Sequence, residues 1–253
     1  MNIRSITAPN PGPFTLDGTR SYLLGETTVI DPGPVIDSHI QAILESMPKL
    51  QTILITHRHG DHAPAAIPLQ QATRAKIFAP AGVLEDSAVS RRLENGDSIG
   101  IDGERVEVID TPGHTQEHVC FLTGDRDLFS GDTILGFGST AIFPPDGSMR
   151  EYIASLRLLR SRNPQRIHPA HGPTRDDAIA LIDEYIAHRL ERERQVIDAI
   201  RAGATTIPKM REVIYRDLDP RLRAAAETQI RAHLIKLVEE QKAHETDETY
   251  ALV

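Results

Sequence analysis

Three histidines and one aspartate fall within six consecutive positions of this sequence, directly after the apolar run at residues 53–55. They are His57, His59, Asp61 and His62. Neutral imidazole and carboxylate groups are the ligands that Zn²⁺ and related divalent ions prefer in proteins. The apolar run predicts a buried strand, and a loop at the end of a strand can direct all four groups to one point. The cluster therefore indicates a metal site, with a solvent-exposed loop rich in histidine as the alternative.

The composition is that of an ordinary globular chain, with 40% hydrophobic and 25% charged residues among 253. No stretch reaches the roughly 18 to 20 apolar residues of a membrane-spanning helix. Residues 1–14 carry three prolines and no apolar segment typical of a secretion signal. Cys120 is the only cysteine, so an intramolecular disulfide is excluded, and its apolar surroundings predict a buried side chain. We therefore expect a cytoplasmic protein with no membrane partner.

Short β-like runs alternate with helical runs in the first two thirds of the chain, which is typical of an α/β layered fold. Strands are predicted at residues 21–24, 28–30, 51–56, 105–109, 118–122 and 127–130. Helices are predicted at residues 35–47 and 63–75, and a third begins at a capping box formed by residues 148–151. No internal repeat interrupts this alternation.

The last third predicts helices and a short tail. A long helix begins near Asp176 and ends at Gly203, and two further helices follow at residues 207–216 and 220–240. Three helices and a terminal β-wing would form a small winged-helix-like domain. We therefore divide the chain into a catalytic domain, residues 1–175, and a linking helix with the winged-helix-like domain, residues 176–253.

Three more candidate ligands lie further along the chain. His114, Asp132 and His171 each follow a predicted strand or lie in a loop made sharp by Gly or Pro. A structural zinc site is closed, four-coordinate and commonly rich in Cys. Seven His and Asp candidates without a Cys therefore favour a catalytic site over a structural one.

The seven positions, in this order, resemble the ligand pattern of the metallo-β-lactamase superfamily over roughly residues 20–175. The resemblance implies a four-layer αββα sandwich with two divalent metal ions, zinc first and iron or manganese as alternatives. It assigns one metal to three histidines, the other metal to Asp61 and two histidines, and the bridging position to Asp132. These ligands are His57, His59 and His114 for the first metal, and Asp61, His62 and His171 for the second.

The same resemblance implies a hydrolase. Two such ions lower the pKa of a shared water, so that a metal-bound hydroxide forms near neutral pH and attacks an ester-like bond. Asp61 is then the catalytic residue that orients this hydroxide, in addition to binding metal.

Departures from the pattern narrow the family. Metallo-β-lactamases of one group carry Cys in the second metal site and Arg in place of His62, and those of another group lack the bridging Asp, so β-lactamase activity is not expected. Flavodiiron proteins carry Glu in place of His59. RNA-processing members with a large insertion are excluded, because only 38 residues separate Asp132 from His171.

The C-terminal part resembles the winged-helix tail of the beta-lactamase-like protein 2 family rather than the last domain of glyoxalase II. The resemblance lies in residues 186–197, 206–207, 214–215 and 233–237, and residues 130–140 of the catalytic domain resemble the same family. Animal members of that family are described as endoribonucleases acting on single-stranded RNA, and fungal relatives as hydrolases of acyl-carrier thioesters. The resemblance therefore leaves an RNA phosphodiester and an acyl thioester or other small ester as open alternatives.

Charge bears on the partners. Residues 185–253 contain 12 Lys and Arg against 12 Asp and Glu, so this region lacks the basic face of a nucleic-acid reader. We expect it to wall off the active-site cleft or to form a homodimer. The alternative from a different class is a non-catalytic module, in which the winged helix binds nucleic acid or a protein.

Several polar residues have two interpretations from sequence. His118 either contacts the ligands from behind or is a plain strand residue. Phe137, Ser139 and Thr140 either line the substrate pocket or form a connecting loop. The remaining histidines are expected to pack or to face solvent; they are His39, His168, His188, His233 and His244.

Overall fold

Six strands make up the first sheet, and they follow one another across it in chain order. The computed structural model describes residues 1–253. The strands are β1 (Ile3–Thr7), β2 (Arg20–Leu24), β3 (Thr28–Ile30), β4 (Thr52–Leu54), β5 (Lys76–Pro80) and β6 (Arg91–Leu93). β1 to β3 pair antiparallel. β3 to β6 pair parallel, because α1 (Asp37–Ser46) and α2 (Ala66–Thr73) return the chain before β4 and β5.

The second sheet has five strands in the order β11-β10-β9-β8-β7. They are β7 (Ser98–Ile101), β8 (Glu104–Asp110), β9 (Val119–Thr123), β10 (Asp127–Gly131) and β11 (Arg166–Pro169). β7 to β10 form an antiparallel meander, and β11 pairs parallel with β10 after the crossover helix α3 (Met149–Ser161). β8, β10 and β11 therefore run in the same direction, so their carboxyl ends lie at one edge of the sheet.

The two sheets pack face to face and are covered by helices on both outer sides. Side chains from both sheets, including Tyr22, Leu54, Val108 and Phe121, form the core between them. α1 and α2 cover the first sheet. α3 and the first half of α4 (Ala178–Arg201) cover the second. The predicted four-layer αββα arrangement is confirmed.

A smaller core lies at the C-terminal end. It is formed by the second half of α4, by α5 (Ile207–Ile214), α6 (Arg223–Glu239) and the hairpin of β12 (Ala243–Thr246) with β13 (Thr249–Leu252). Three helices and a hairpin are the winged-helix arrangement predicted from sequence. α4 contributes Ile182 to the sandwich core and Val196 to the C-terminal core. The division at residues 175 and 176 therefore stays a prediction, since one helix serves both units.

Four ionisable side chains are buried where α4 packs against α6, and we call them the α4–α6 charge cluster. They are Arg189, Glu193, His233 and Lys236, each at most 7% exposed. Lys236 Nζ lies 2.5 Å from Glu193 Oε2, and the Arg189 guanidinium donates a hydrogen bond to the carbonyl oxygen of Thr140. The cluster therefore joins the C-terminal helices to a loop of the sandwich.

Sequence patterns missed five strands, namely β1, β5, β6, β7 and β11. β6 and β7 have only three and four residues, which is too short for an alternating pattern to stand out. α2 begins at Ala66 rather than at residue 63, because the N–H groups of Ala66 and Ile67 bond to carbonyl oxygens three residues back, as in a turn, and not four residues back. No helix combines the length and the apolar character needed to cross a bilayer.

Candidate metal centre

The loop after β4 carries four of the candidate ligands and is shaped by its own backbone. Its carbonyl at His59 accepts the N–H groups of His62 and Ala63, at 3.0 and 3.2 Å. This tight turn returns the chain, so that His57 and His62 lie with their ring centroids 4.1 Å apart. Arg58 points the other way and pairs with Glu117 outside the site. The loop thus keeps the positive charge of Arg58 away from its four candidate ligands.

The other three candidates follow the strands whose carboxyl ends share one edge. His114 follows β8, Asp132 directly follows β10, and His171 follows β11. Gly113 has φ 134°, and a Cβ there would lie 2.3 Å from the Cα of Tyr152, so only glycine allows this approach of the His114 loop to α3. All seven candidates converge at this edge of the sandwich.

The first group of ligand atoms contains three imidazole nitrogens and one carboxylate oxygen. His59 Nδ1 lies 3.0 Å from His57 Nε2 and 3.0 Å from His114 Nε2. Asp132 Oδ2 lies 3.5 Å from His114 Nε2 and 3.9 Å from His57 Nε2. All four atoms lie within 4.8 Å of one another.

The second group uses the other oxygen of the same aspartate. Asp132 Oδ1 lies 3.4 Å from His62 Nε2 and 3.2 Å from His171 Nε2. Asp61 Oδ2 lies 3.4 Å and 3.3 Å from the same two nitrogens. Asp132 therefore stands between the two groups with one oxygen toward each.

This donor set fits two metal ions. Ligand atoms bound at about 2.0 to 2.1 Å to one tetrahedral ion lie about 3.3 Å from each other, close to the spacings in both groups. His62 Nε2 and Asp132 Oδ1 are buried and have no hydrogen-bond partner. Buried polar atoms without a partner are costly, and a cation between them would satisfy both.

The far nitrogens of four histidines have acceptors that fix the rings. His62 Nδ1 lies 2.9 Å from Asp31 Oδ2, and His57 Nδ1 lies 2.9 Å from the Thr56 hydroxyl, which itself donates to Asp31. His114 Nδ1 lies 3.0 Å from the carbonyl oxygen of Ala141, and His171 Nδ1 lies 3.3 Å from that of Gly18. We assign the proton to Nδ1 in each ring from these acceptors, which leaves Nε2 free to bind metal.

A cavity of about 470 Å³ opens over the two ligand groups. Five of the candidate ligands line it, together with apolar side chains that include Leu16 and Leu135. Phe137, Ser139 and Thr140 also line it, which confirms the pocket interpretation of this loop. Neither Lys nor Arg is among the 16 lining residues.

Comparison with known families agrees with this geometry. A family model described as the metallo-beta-lactamase superfamily matches residues 14–171, and one described as the beta-lactamase associated winged helix domain matches residues 206–250. The chain belongs to the metallo-β-lactamase superfamily. Its family and its His and Asp cluster make it a hydrolase of this superfamily, with a site suited to divalent metal ions.

Relatives of known sequence place the chain more narrowly in the superfamily. The beta-lactamase-like protein 2 homolog of Caenorhabditis elegans is 34% identical over 93% of this chain and 83% of that protein. The atrochrysone carboxyl ACP thioesterase of Aspergillus chevalieri is 34% identical over 78% of this chain and 65% of that protein. The resemblance to the beta-lactamase-like protein 2 family is confirmed.

Solved structures share the fold. A beta-lactamase domain protein from Burkholderia ambifaria superposes with a TM-score of 0.83 at 22% identity, over 99% of this chain and 91% of that one. TTHA1623 in a di-iron-bound form gives a TM-score of 0.56 at 27% identity, over 72% of this chain and 98% of that one. Both the sandwich and the C-terminal unit are thus part of a fold known in the superfamily.

Charges in this superfamily site set the protonation of its ligands. Burial opposes the charged form of His171, but Asp132 and Asp61 outweigh it and raise its pKa to about 9. Burial likewise opposes ionisation of Asp61, but His62 and His171 hold the pKa of that carboxyl below its usual range. Protons therefore occupy the second ligand group when no metal is bound, and metal binding must release them.

Two residues that stand behind the ligands were not predicted from the sequence. One is Asp31, whose carboxylate accepts hydrogen bonds from the Thr56 N–H and hydroxyl. Thr19 was not singled out, and its hydroxyl donates to Asp61 Oδ2 at 2.9 Å. A signal for Asp31 exists in hindsight, because a carboxylate ends β3 beside the strand that leads into the His-rich loop.

His118, which has two interpretations from sequence, and His168, which was expected to pack or to face solvent, have different surroundings. His118 is buried behind the centre, where its Nε2 accepts the N–H of Asp132 at 3.2 Å. It therefore helps to orient the bridging residue. His168 bonds to Asp127 at 2.8 Å and stacks on Phe129, outside the site.

Proposed function

We propose that this superfamily hydrolase cleaves the thioester bond of an acyl thioester, with two divalent metal ions held by the seven ligands. The observation that carries the proposal is the chemistry of the cavity lining. Its only ionisable side chains are five candidate ligands, and the rest of the lining is apolar or neutral. Those five are His59, Asp61, His114, Asp132 and His171.

The lack of a spare ionisable group favours a thiol over an alcohol as the leaving group. With every titratable lining residue assigned to metal, none remains to protonate a departing oxygen. A thiol has a pKa of about 8.5, so a thiolate can leave near neutral pH without a proton donor. The net reaction consumes one water and gives a carboxylate and a thiol.

The lining also disfavours RNA as the substrate. Proteins that hold a phosphodiester chain use Lys and Arg against its phosphates, and the cavity lining offers neither. The relative from Aspergillus chevalieri is named a thioesterase, which supports the proposal for this chain. The same name favours an enzyme over the non-catalytic binding module.

The chain's own residues would share the work as follows. When bound, the two ions would polarise the scissile carbonyl and promote ionisation of the attacking water. Asp132 spans the two ligand groups and fixes their separation. Asp61 reaches the cavity with a partly exposed carboxylate, held by the Thr19 hydroxyl, and would accept a hydrogen bond from the water and aim it at the carbonyl carbon.

Zinc is the proposed metal, with iron as the competing choice. The His and Asp donors accept either ion. The related TTHA1623 structure is di-iron-bound, which supports two ions and keeps iron in consideration. Elemental analysis of the purified protein, together with separate reconstitution with Zn²⁺, Fe²⁺ and Mn²⁺, distinguishes them. A cytoplasmic location and a homodimer stay predictions.

The test is a side-by-side substrate screen of metal-replete protein. Short-chain acyl thioesters, a lactone, a phosphodiester and a single-stranded RNA are offered under the same conditions. We expect thioester hydrolysis, which Asp61→Asn lowers in kcat by about 10² to 10⁴-fold with metal content retained.

Substitution of the exposed His244 by Gln serves as the control and leaves the rate unchanged. RNA cleavage without thioester hydrolysis would contradict the proposal and show that the enzyme is a phosphodiesterase acting on RNA. Salt-dependent RNA binding with no turnover of any substrate would instead favour the binding module.

A further inference from the structure

Three of the six phenylalanines in this chain are exposed, and all three line the cavity over the ligands. Phe14, Phe137 and Phe143 are 62%, 71% and 39% exposed. Phe121 and Phe129, by contrast, lie in the core between the sheets. Exposed apolar groups that gather at one cavity mark a binding surface, whereas exposed apolar residues scattered singly do not.

The three rings come from two segments that meet at the mouth of the cavity, where these exposed rings lie. Phe14 precedes β2, whereas Phe137 and Phe143 lie between β10 and α3. The rings of Phe14 and Phe143 meet edge to face, with centroids 6.0 Å apart and planes at 76°. Leu16 and Leu135 continue the apolar surface inward toward the ligands.

The segment that carries Phe14 is held in place by hydrogen bonds that lead to the metal ligands. The Thr15 hydroxyl donates to the carbonyl oxygen of Asn10 at 2.6 Å. The Asn10 amide group contacts Thr19, and the Thr19 hydroxyl donates to Asp61. The mouth is therefore preformed and has a fixed position relative to the catalytic carboxylate.

The segment that carries Phe137 and Phe143 is anchored as well. The Gly136 N–H donates to the carbonyl oxygen of His171 at 2.9 Å, directly before Phe137. The carbonyl oxygen of Phe143 accepts the N–H of Gly147 at 2.8 Å. Hydrogen bonds therefore anchor both segments that carry the phenylalanines.

We propose that these phenylalanines bind the acyl part of the substrate, and that this acyl part is an apolar chain. The inference rests on the proposed thioester hydrolysis, and it names which thioesters the site prefers. A charged group on the acyl chain would meet no Lys or Arg side chain beside the phenylalanines and would lose its hydration, whereas an apolar chain removes the phenylalanine faces from water.

Binding of the products measures this preference without turnover. Saturated carboxylates from acetate to decanoate are titrated into metal-replete protein by calorimetry. Each added methylene should tighten binding by about fourfold until the chain passes the mouth. The carboxylate head is the same throughout the series. The slope of the logarithm of affinity against chain length therefore reports only the contacts of the apolar chain.

Variants at the mouth locate the surface. Phe14→Ala and Phe143→Ala should flatten the slope for the longer chains and leave acetate binding unchanged. Both rings are exposed, so both variants should keep the wild-type melting temperature. Leu158→Ala is the matched control, since Leu158 is 38% exposed on α3 outside the cavity and should keep the wild-type slope.

The outcomes separate this inference from the proposed function. Equal affinity along the series, or a slope that survives both phenylalanine variants, overturns the inference even if thioesters are hydrolysed. A slope that the phenylalanine variants abolish supports the inference. If no thioester of any length is then hydrolysed, the proposed function fails while the apolar site stands.

Discussion

The metal centre and the α4–α6 charge cluster both bury histidine with acidic residues, but their atoms are arranged in opposite ways. In the metal centre, His62 Nε2 and Asp132 Oδ1 are buried 3.4 Å apart without a hydrogen-bond partner, among the ligand atoms of both groups. In the charge cluster, the Lys236 ammonium lies against Glu193 and Glu240, so that opposite charges meet directly. The charge cluster also holds unpartnered atoms, namely both ring nitrogens of His233, but they do not converge with other ligand atoms. Convergence of several ligand atoms on one point, rather than the mere presence of buried ionisable groups, therefore distinguishes a ligand site from a structural ion pair.

This difference in arrangement predicts that the metal centre controls activity and that the α4–α6 charge cluster controls stability. Removal of the shared acceptor should have the largest effect. Asp132→Ala should lower kcat on the order of 10³-fold or more and release metal, because both ligand groups lose an oxygen. Steady-state kinetics with metal analysis checks this. A variant that keeps both metals and near wild-type kcat would show that Asp132 does not bridge.

Breaking one partner of the charge cluster should mainly affect folding. Glu193→Gln removes the carboxylate that lies 2.5 Å from the buried Lys236 ammonium and leaves it only Glu240, at 3.0 Å, so it should lower the free energy of unfolding by about 3 kcal/mol. Replacing both residues together by Leu should recover much of this loss. Urea unfolding measures it. If the single and double variants lost equal stability, the loss would come from removal of the attraction between Glu193 and Lys236, and not from a buried Lys236 charge left without Glu193.

An intermediate effect is expected behind the ligands. Asp31→Asn keeps the shape of the side chain but removes the charge beside His62 Nδ1, and should weaken metal binding by about 10 to 100-fold. Competition with a chelator measures the affinity. Asp127→Asn provides a matched control, because Asp127 bonds to His168 outside the centre and should leave the affinity unchanged.

The smallest effect concerns pH and the charge cluster. Burial and the nearby Arg189 and Lys236 charges lower the pKa of His233 to about 3. Between pH 7 and pH 5 the unfolded chain gains a proton at this residue and the folded chain does not, so acid should lower the free energy of unfolding by about 2 kcal/mol through His233. His233→Leu should abolish this part of the pH dependence, and the exposed His244→Gln should keep it. Urea titrations at both pH values test the difference.

The seven candidate ligands could be predicted from the sequence because they lie in loops with local signals. His57, His59 and His62 stand together after an apolar strand, and His171 lies between Pro and Gly residues. Cys120 was also correctly expected to be buried. These features depend on neighbours within a few residues along the chain, which is the range that a pattern can show.

Contacts between distant segments of the chain could not be predicted from the sequence. Asp31 reaches Thr56 only because β3 and β4 pair in parallel with Ile30 opposite Leu54. The charges of Glu193 and Lys236 look like parts of solvated helix faces until α4 and α6 pack together. Neither pairing leaves a periodic signal in one sequence, so both had to come from the fold.

One link between the two regions limits how the molecule can be redesigned. Arg189 of α4 donates to the carbonyl oxygen of Thr140, and the Thr140 hydroxyl donates to the carbonyl oxygen of Asp132 at 2.8 Å. A truncated or chimeric enzyme that discards α4 would therefore lose one of the contacts that position the backbone of Asp132, although the Asp132 N–H would keep its bond to His118. Shortened versions of this hydrolase should therefore keep α4, or replace it with a segment that supplies an arginine at the same place.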